Sequence, residues 1–163
     1  MAIKQKEVII SMLQKMYWVE AEMEQLGTWE ARIEMMGEYK NTLDIFQQDS
    51  DMHRIILEKW MNMLKIEIPT SVPTGLPAKG FNFNGMDAPG IFKELMKYEI
   101  LARDVYTDIV NANPDALGKM LPDDGIRSEF ISDLEGVIKD EIKHVRLCEK
   151  MVGGYTTIVS GGN

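Results

Sequence analysis

Asp140-Glu141-Ile142-Lys143-His144 is the stretch on which the fold turns. It lies inside the run Phe130 to Val152, whose apolar residues recur at helical spacing. An α-helix advances about 100° per residue, so Leu134, Val137, Ile138, Val145, Cys148 and Val152 all project within about 60° of Glu141. Glu141 therefore points along the middle of an apolar stripe, and His144 falls on its edge. A carboxylate in such a place costs several kcal/mol unless it is paired or binds a cation. A Glu-x-x-His pair facing a core is one half of a carboxylate-bridged two-metal site, which needs a matching half from other helices.

Working back from this stretch, the periodicity predicts four long helices. Residues 3–36 carry the stripe Ile9, Leu13, Met16, Tyr17, Met23 and Ala31, with Glu20 at its centre and Glu24 one turn on. Gly27 is a weak point in that pattern. A turn over Met36-Gly37-Glu38-Tyr39 leads to a second helix over 39–65, with Phe46, Ile56, Leu57, Trp60 and Leu64 on one face. His53 is central to that face; Asp49 and Ser50 flank it on the preceding turn, while Asp51 points to water. Residues 66–88 hold Pro69, Pro73, Pro77, Gly75, Gly80 and Gly85, which exclude a regular helix. Leu76, Phe81 and Phe83 make this segment an apolar crossover that packs on the domain, and its extended length is enough to span a bundle. A third helix over 89–112 opens with Asp87 as N-cap and Pro89 in its first turn. Its stripe is Phe92, Leu95, Met96, Ala102, Tyr106 and Val110, with Glu99 at the centre. Asn113-Pro114 ends it, and the fourth helix spans 124–152. Residues 1–152 thus form one domain, and 153–163 read as a flexible tail.

Composition narrows the function. The 163 residues suit a single domain with a sizeable core, and 45% hydrophobic against 27% charged residues is a globular balance. The net charge of -8 is spread along the chain without a basic block, which argues against nucleic acid as a partner. One cysteine cannot close an intrachain disulfide. No signal-peptide pattern and no membrane-length apolar run are present, so a cytoplasmic location with no membrane partner is expected. The 13 methionines occur at core spacing and read as pliable filler, and Cys148 reads as a small buried hydrophobe.

The chain has only two histidines, and both lie on apolar stripes of different helices. With Glu20, Glu99 and Glu141 they make five inward ionisable groups. Left uncompensated, these would cost more than the roughly 5–15 kcal/mol by which a domain is stable. Carboxylate and imidazole donors suit iron or manganese.

The order Glu20, x-x-His53, long crossover, Glu99, Glu141-x-x-His144 resembles the ferritin-like superfamily of di-iron carboxylate proteins, in its rubrerythrin and erythrin branch. The run Tyr98 to Tyr106 places a tyrosine two turns after the third-helix glutamate, as is frequent there. The resemblance covers roughly residues 5 to 152. It implies an all-α four-helix bundle made of two antiparallel hairpins, and a homodimer. It also implies two iron ions, or manganese in their place, with Glu20, His53, Glu99, Glu141 and His144 as ligands. The reaction would be oxidation of Fe(II) by a small oxidant, peroxide or dioxygen, or reduction of peroxide. Tyr106 would be a hydrogen-bond partner of a ligand or a one-electron donor. One departure stands out: Ser50 occupies the place of a family glutamate in Asp49-Ser50-Asp51-Met52-His53, with Asp49 available as a substitute ligand. No rubredoxin-like Cys-x-x-Cys module is present, so no electron donor is built in. The competing expectation is the same scaffold with a degenerate site, serving as a structural or metal-sensing module.

Overall fold

The computed structural model describes residues 2–25, 37–76, 83 and 85–161, with side chains for 5–25, 37–76, 83 and 85–153. Among the described residues there are five helices and no strand. They are α1 (Ala2–Glu24), α2 (Glu38–Met63), α3 (Ala88–Val110), α4 (Pro114–Met120) and α5 (Asp124–Gly161). The extension of the first helix over 26–36 lies outside the described residues.

Local chemistry sets most of the boundaries. Asp87 caps α3 by accepting from Gly90 N at 2.9 Å, with Pro89 inside the first turn. The chain leaves α2 through Lys65, which holds a positive φ of 56°. There Ile66 N reaches Met61 O at 2.8 Å and Lys65 N reaches Asn62 O at 3.2 Å, the paired bonds of a Schellman end. Ile66 then buries its side chain in the core, as Phe83 does further along the irregular segment.

Two expectations need correction. The link between α3 and α5 contains the short helix α4, capped by Asn113 and begun by Pro114, which buries Ala116 and Leu117. The helix that begins at Asp124 also continues to Gly161, beyond the expected end at 152. Gly153 and Gly154 lower helix propensity, but they neither remove a backbone donor nor impose a left-handed turn, so the backbone ladder runs through them.

α1 and α2 run antiparallel, joined by Glu20–His53, Tyr17–Glu58 and Gln14–Glu67 contacts in reversed order. α2 and α5 also run antiparallel, through Asp49–His144, His53–Asp140 and Trp60–Asp133. The most extensive packing is between α3 and α5, and α1 packs on α3 as well. The core between them holds Leu13, Met16, Phe46, Leu57, Trp60, Phe92, Leu95, Tyr106, Phe130 and Leu134, all essentially inaccessible. Removing any one of the large ones would cost about 3–5 kcal/mol.

Candidate metal centre

Among the described residues seven polar or charged side chains are buried, and five of them, Glu20, His53, Glu99, Glu141 and His144, come together inside the core. Each is there because its helix turns an otherwise apolar face inward at that level. Two sets of donor atoms converge: Glu20, His53 and Glu141 in one, Glu99, Glu141 and His144 in the other, each within 4.8 Å. Glu141 belongs to both. Its Oε1 lies 3.0 Å from His53 Nδ1 and its Oε2 lies 3.5 Å from His144 Nδ1. The two imidazole centroids are 6.1 Å apart.

The arrangement has a local two-fold character. Glu20 Oε1 is 3.2 Å from His53 Nδ1, and Glu99 Oε2 is 3.2 Å from His144 Nδ1. On the outer side, His53 Nε2 meets Asp140 Oδ2 at 2.9 Å, and His144 Nε2 meets Asp49 Oδ2 at 2.8 Å. Each histidine is thus held by an aspartate from the opposite helix. An Nε2–H directed at a carboxylate fixes the tautomer and turns the Nδ1 lone pair toward the centre. Asp49, expected from the sequence near His53, lies instead on the outer nitrogen of His144 and belongs to neither convergent donor set. Asp140, its counterpart, was not singled out as a site residue. The Asp-x-x-x-His spacing shared by Asp49/His53 and Asp140/His144 was the signal for it.

Glu24 is turned away and pairs with Arg54, so the helix 1 carboxylate at the centre is Glu20. Tyr106, fully buried, donates its hydroxyl to Glu20 Oε1 at 2.9 Å. Arg103 pairs outside the cluster with its neighbour Asp104. Cys148 is buried, and burial together with Glu99 and Glu141 pushes its thiol well up, so it stays protonated.

The electrostatics describe a site in need of positive charge. Burial, then the Glu141 charge, raises Glu20 to about 7 and Glu99 well above its ordinary value. Burial alone would raise Glu141 too, but the facing Glu99 carboxyl and both imidazoles beside it hold it well below the usual range. Burial disfavours the imidazoliums, yet the surrounding carboxylates outweigh it and lift His53 to about 11 and His144 to about 12. Without a metal, protons therefore supply the missing charge. Glu99 Oε1 and Glu141 Oε2 are buried with no hydrogen-bond donor, so a proton or a cation has to sit against them. Three carboxylates and two Nδ1 atoms are a donor set that could hold a metal ion in each group, with Glu141 common to both.

No family model matches the chain, and no curated protein or solved structure matches it, so the functional reading rests on this geometry.

Proposed function

We propose that this chain is a ferritin-like di-metal carboxylate protein that binds two iron or manganese ions and oxidises Fe(II) or reduces peroxide. In this reading the four long helices form two hairpins joined by the 66–88 crossover, and every one of them contributes a ligand. The observation that carries the proposal is the pair of buried Glu/His sets sharing Glu141, two of whose carboxylate oxygens lack any donor.

The residues have distinct tasks. Glu20 and His53 would hold one ion and Glu99 and His144 the other, with Glu141 available to both. Asp49 and Asp140 keep both imidazoles in the binding tautomer by accepting their Nε2 protons. Uptake of metal displaces the protons otherwise held on Nδ1 and on the raised carboxyl groups. Tyr106 orients Glu20 through its hydroxyl, and in this reading its buried phenol would serve as the one-electron donor. Two ferrous ions, if held there, would supply the two electrons that reduction of one peroxide to two waters requires along with two protons.

Element analysis of protein purified without added metal tests the site, and it should find about two ions per chain. Peroxide consumption and Fe(II) oxidation by the same sample test the chemistry. Protein that takes up neither iron nor manganese at stoichiometric supply would overturn the proposal. The second reading, a structural or metal-sensing module, is favoured by Ser50. Two bound ions with no turnover would select it.

A further inference from the structure

The site lacks one group that its own symmetry calls for. Asp49, Ser50 and His53 on α2 stand at the same spacing as Asp140, Glu141 and His144 on α5. The reciprocal Asp49–His144 and Asp140–His53 bonds, and the equal Glu20–His53 and Glu99–His144 distances, extend that match to the geometry. Under this correspondence the partner of Glu141 is Ser50, which is only 2% exposed. Glu141 reaches both Nδ1 atoms from its side, so its counterpart would reach the same two positions from the other. Serine ends at Oγ, where a glutamate has its Cγ, one carbon and the carboxylate oxygens short of doing so.

Charge points the same way. Two divalent ions against the carboxylates of Glu20, Glu99 and Glu141 retain one positive charge. Asp49 and Asp140 are engaged on the histidine Nε2 atoms and are 29% and 46% exposed at their side chains. They do not supply the inner charge.

We propose that the Ser50 position is a binding site for a small exogenous monoanion, a short carboxylate or a three-atom anion, which bridges the two ions in place of a glutamate and accepts a hydrogen bond from the Ser50 hydroxyl. This rests on the di-metal reading above. It makes Ser50 the residue that opens the centre to exogenous ligands, rather than a mark of decay.

The test uses the full chain loaded with cobalt(II), with metal content measured in every sample. Azide is the probe, followed by visible absorption, and formate is the competitor. The unmodified protein should bind one azide per ion pair, displaceable by formate. Ser50→Glu, which supplies the bridge internally, should keep two ions and weaken azide by at least about tenfold. Ser50→Leu, which fills the same buried volume with an apolar chain, should weaken it as much and covers the case in which the glutamate variant does not fold. Unchanged azide affinity in variants that retain two ions would overturn the inference while leaving the di-metal reading intact. So would a two-ion unmodified protein that binds no azide. A chain that takes up no cobalt overturns both.

Discussion

Both histidines spend their Nε2 on a carboxylate, and this decides which nitrogen a metal can use. Replacing Asp49 or Asp140 by asparagine removes the charge that favours the Nε2–H tautomer, and either change should weaken metal binding about 10–100-fold. Isothermal titration of the two variants, with Glu24→Gln as a control expected to be neutral, checks this. The five inward groups were legible from the sequence because helical angle alone says which residues share an apolar face. The partner of Asp49 was not, since an angle about one axis does not say which side chain stands opposite. Protonation gives a second prediction at this scale. Folding raises Glu20 to about 7 and His144 to about 12, with Glu99 and His53 also raised. The metal-free folded state thus holds more protons than the unfolded chain above the ordinary glutamate range, and its stability should fall as pH rises from about 5 to 9. Glu141, held low, acts in the opposite sense only below that window. Metal binding releases those protons, so the metal-bound form should gain relative stability over the same range. Melting temperatures at several pH values, with metal and with chelator, should diverge with rising pH; parallel curves would contradict this.

Among the elements, those announced by residues with special backbone chemistry were the readable ones. Asp87-Ala88-Pro89 fixed the start of α3, and the prolines after Ile68 excluded a helix there. α4 escaped notice because seven residues are too few to show a period, although Asn113-Pro114 is a sound helix start. The continuation of α5 to Gly161 escaped because glycine is a poor helix former but not a breaker. The end of α2 offers the sharpest prediction. Lys65 occupies the left-handed position where glycine is free of strain, and its φ is 56°. Lys65→Gly should keep the Ile66–Met61 bond and stabilise the protein by about 0.5–1 kcal/mol. Urea unfolding with an unchanged slope and a higher midpoint is the expected result; destabilisation would mean that the lysine side chain contributes more than its backbone strain costs.

For the molecule as a whole, the centre is a cross-link between segments distant in sequence. Glu20 comes from α1, His53 from α2, Glu99 from α3, and Glu141 with His144 from α5. Ions held by this set would join all four long helices at mid-core, so binding should raise the free energy of global unfolding rather than tighten one loop. At free metal one hundred times the dissociation constant, each site adds about 2.7 kcal/mol. Hydrogen exchange distinguishes the alternatives by place. With both positions filled, slow amides in α1, α2, α3 and α5 should all gain protection together, because they then open only through global unfolding. Should the Glu99–Glu141–His144 set alone bind, the gain should concentrate in α3 and α5, whose mutual packing is already the most extensive. α1 and α2 would then keep their metal-free rates. Protection confined to α3 and α5 would thus refute the two-ion centre while leaving the fold untouched.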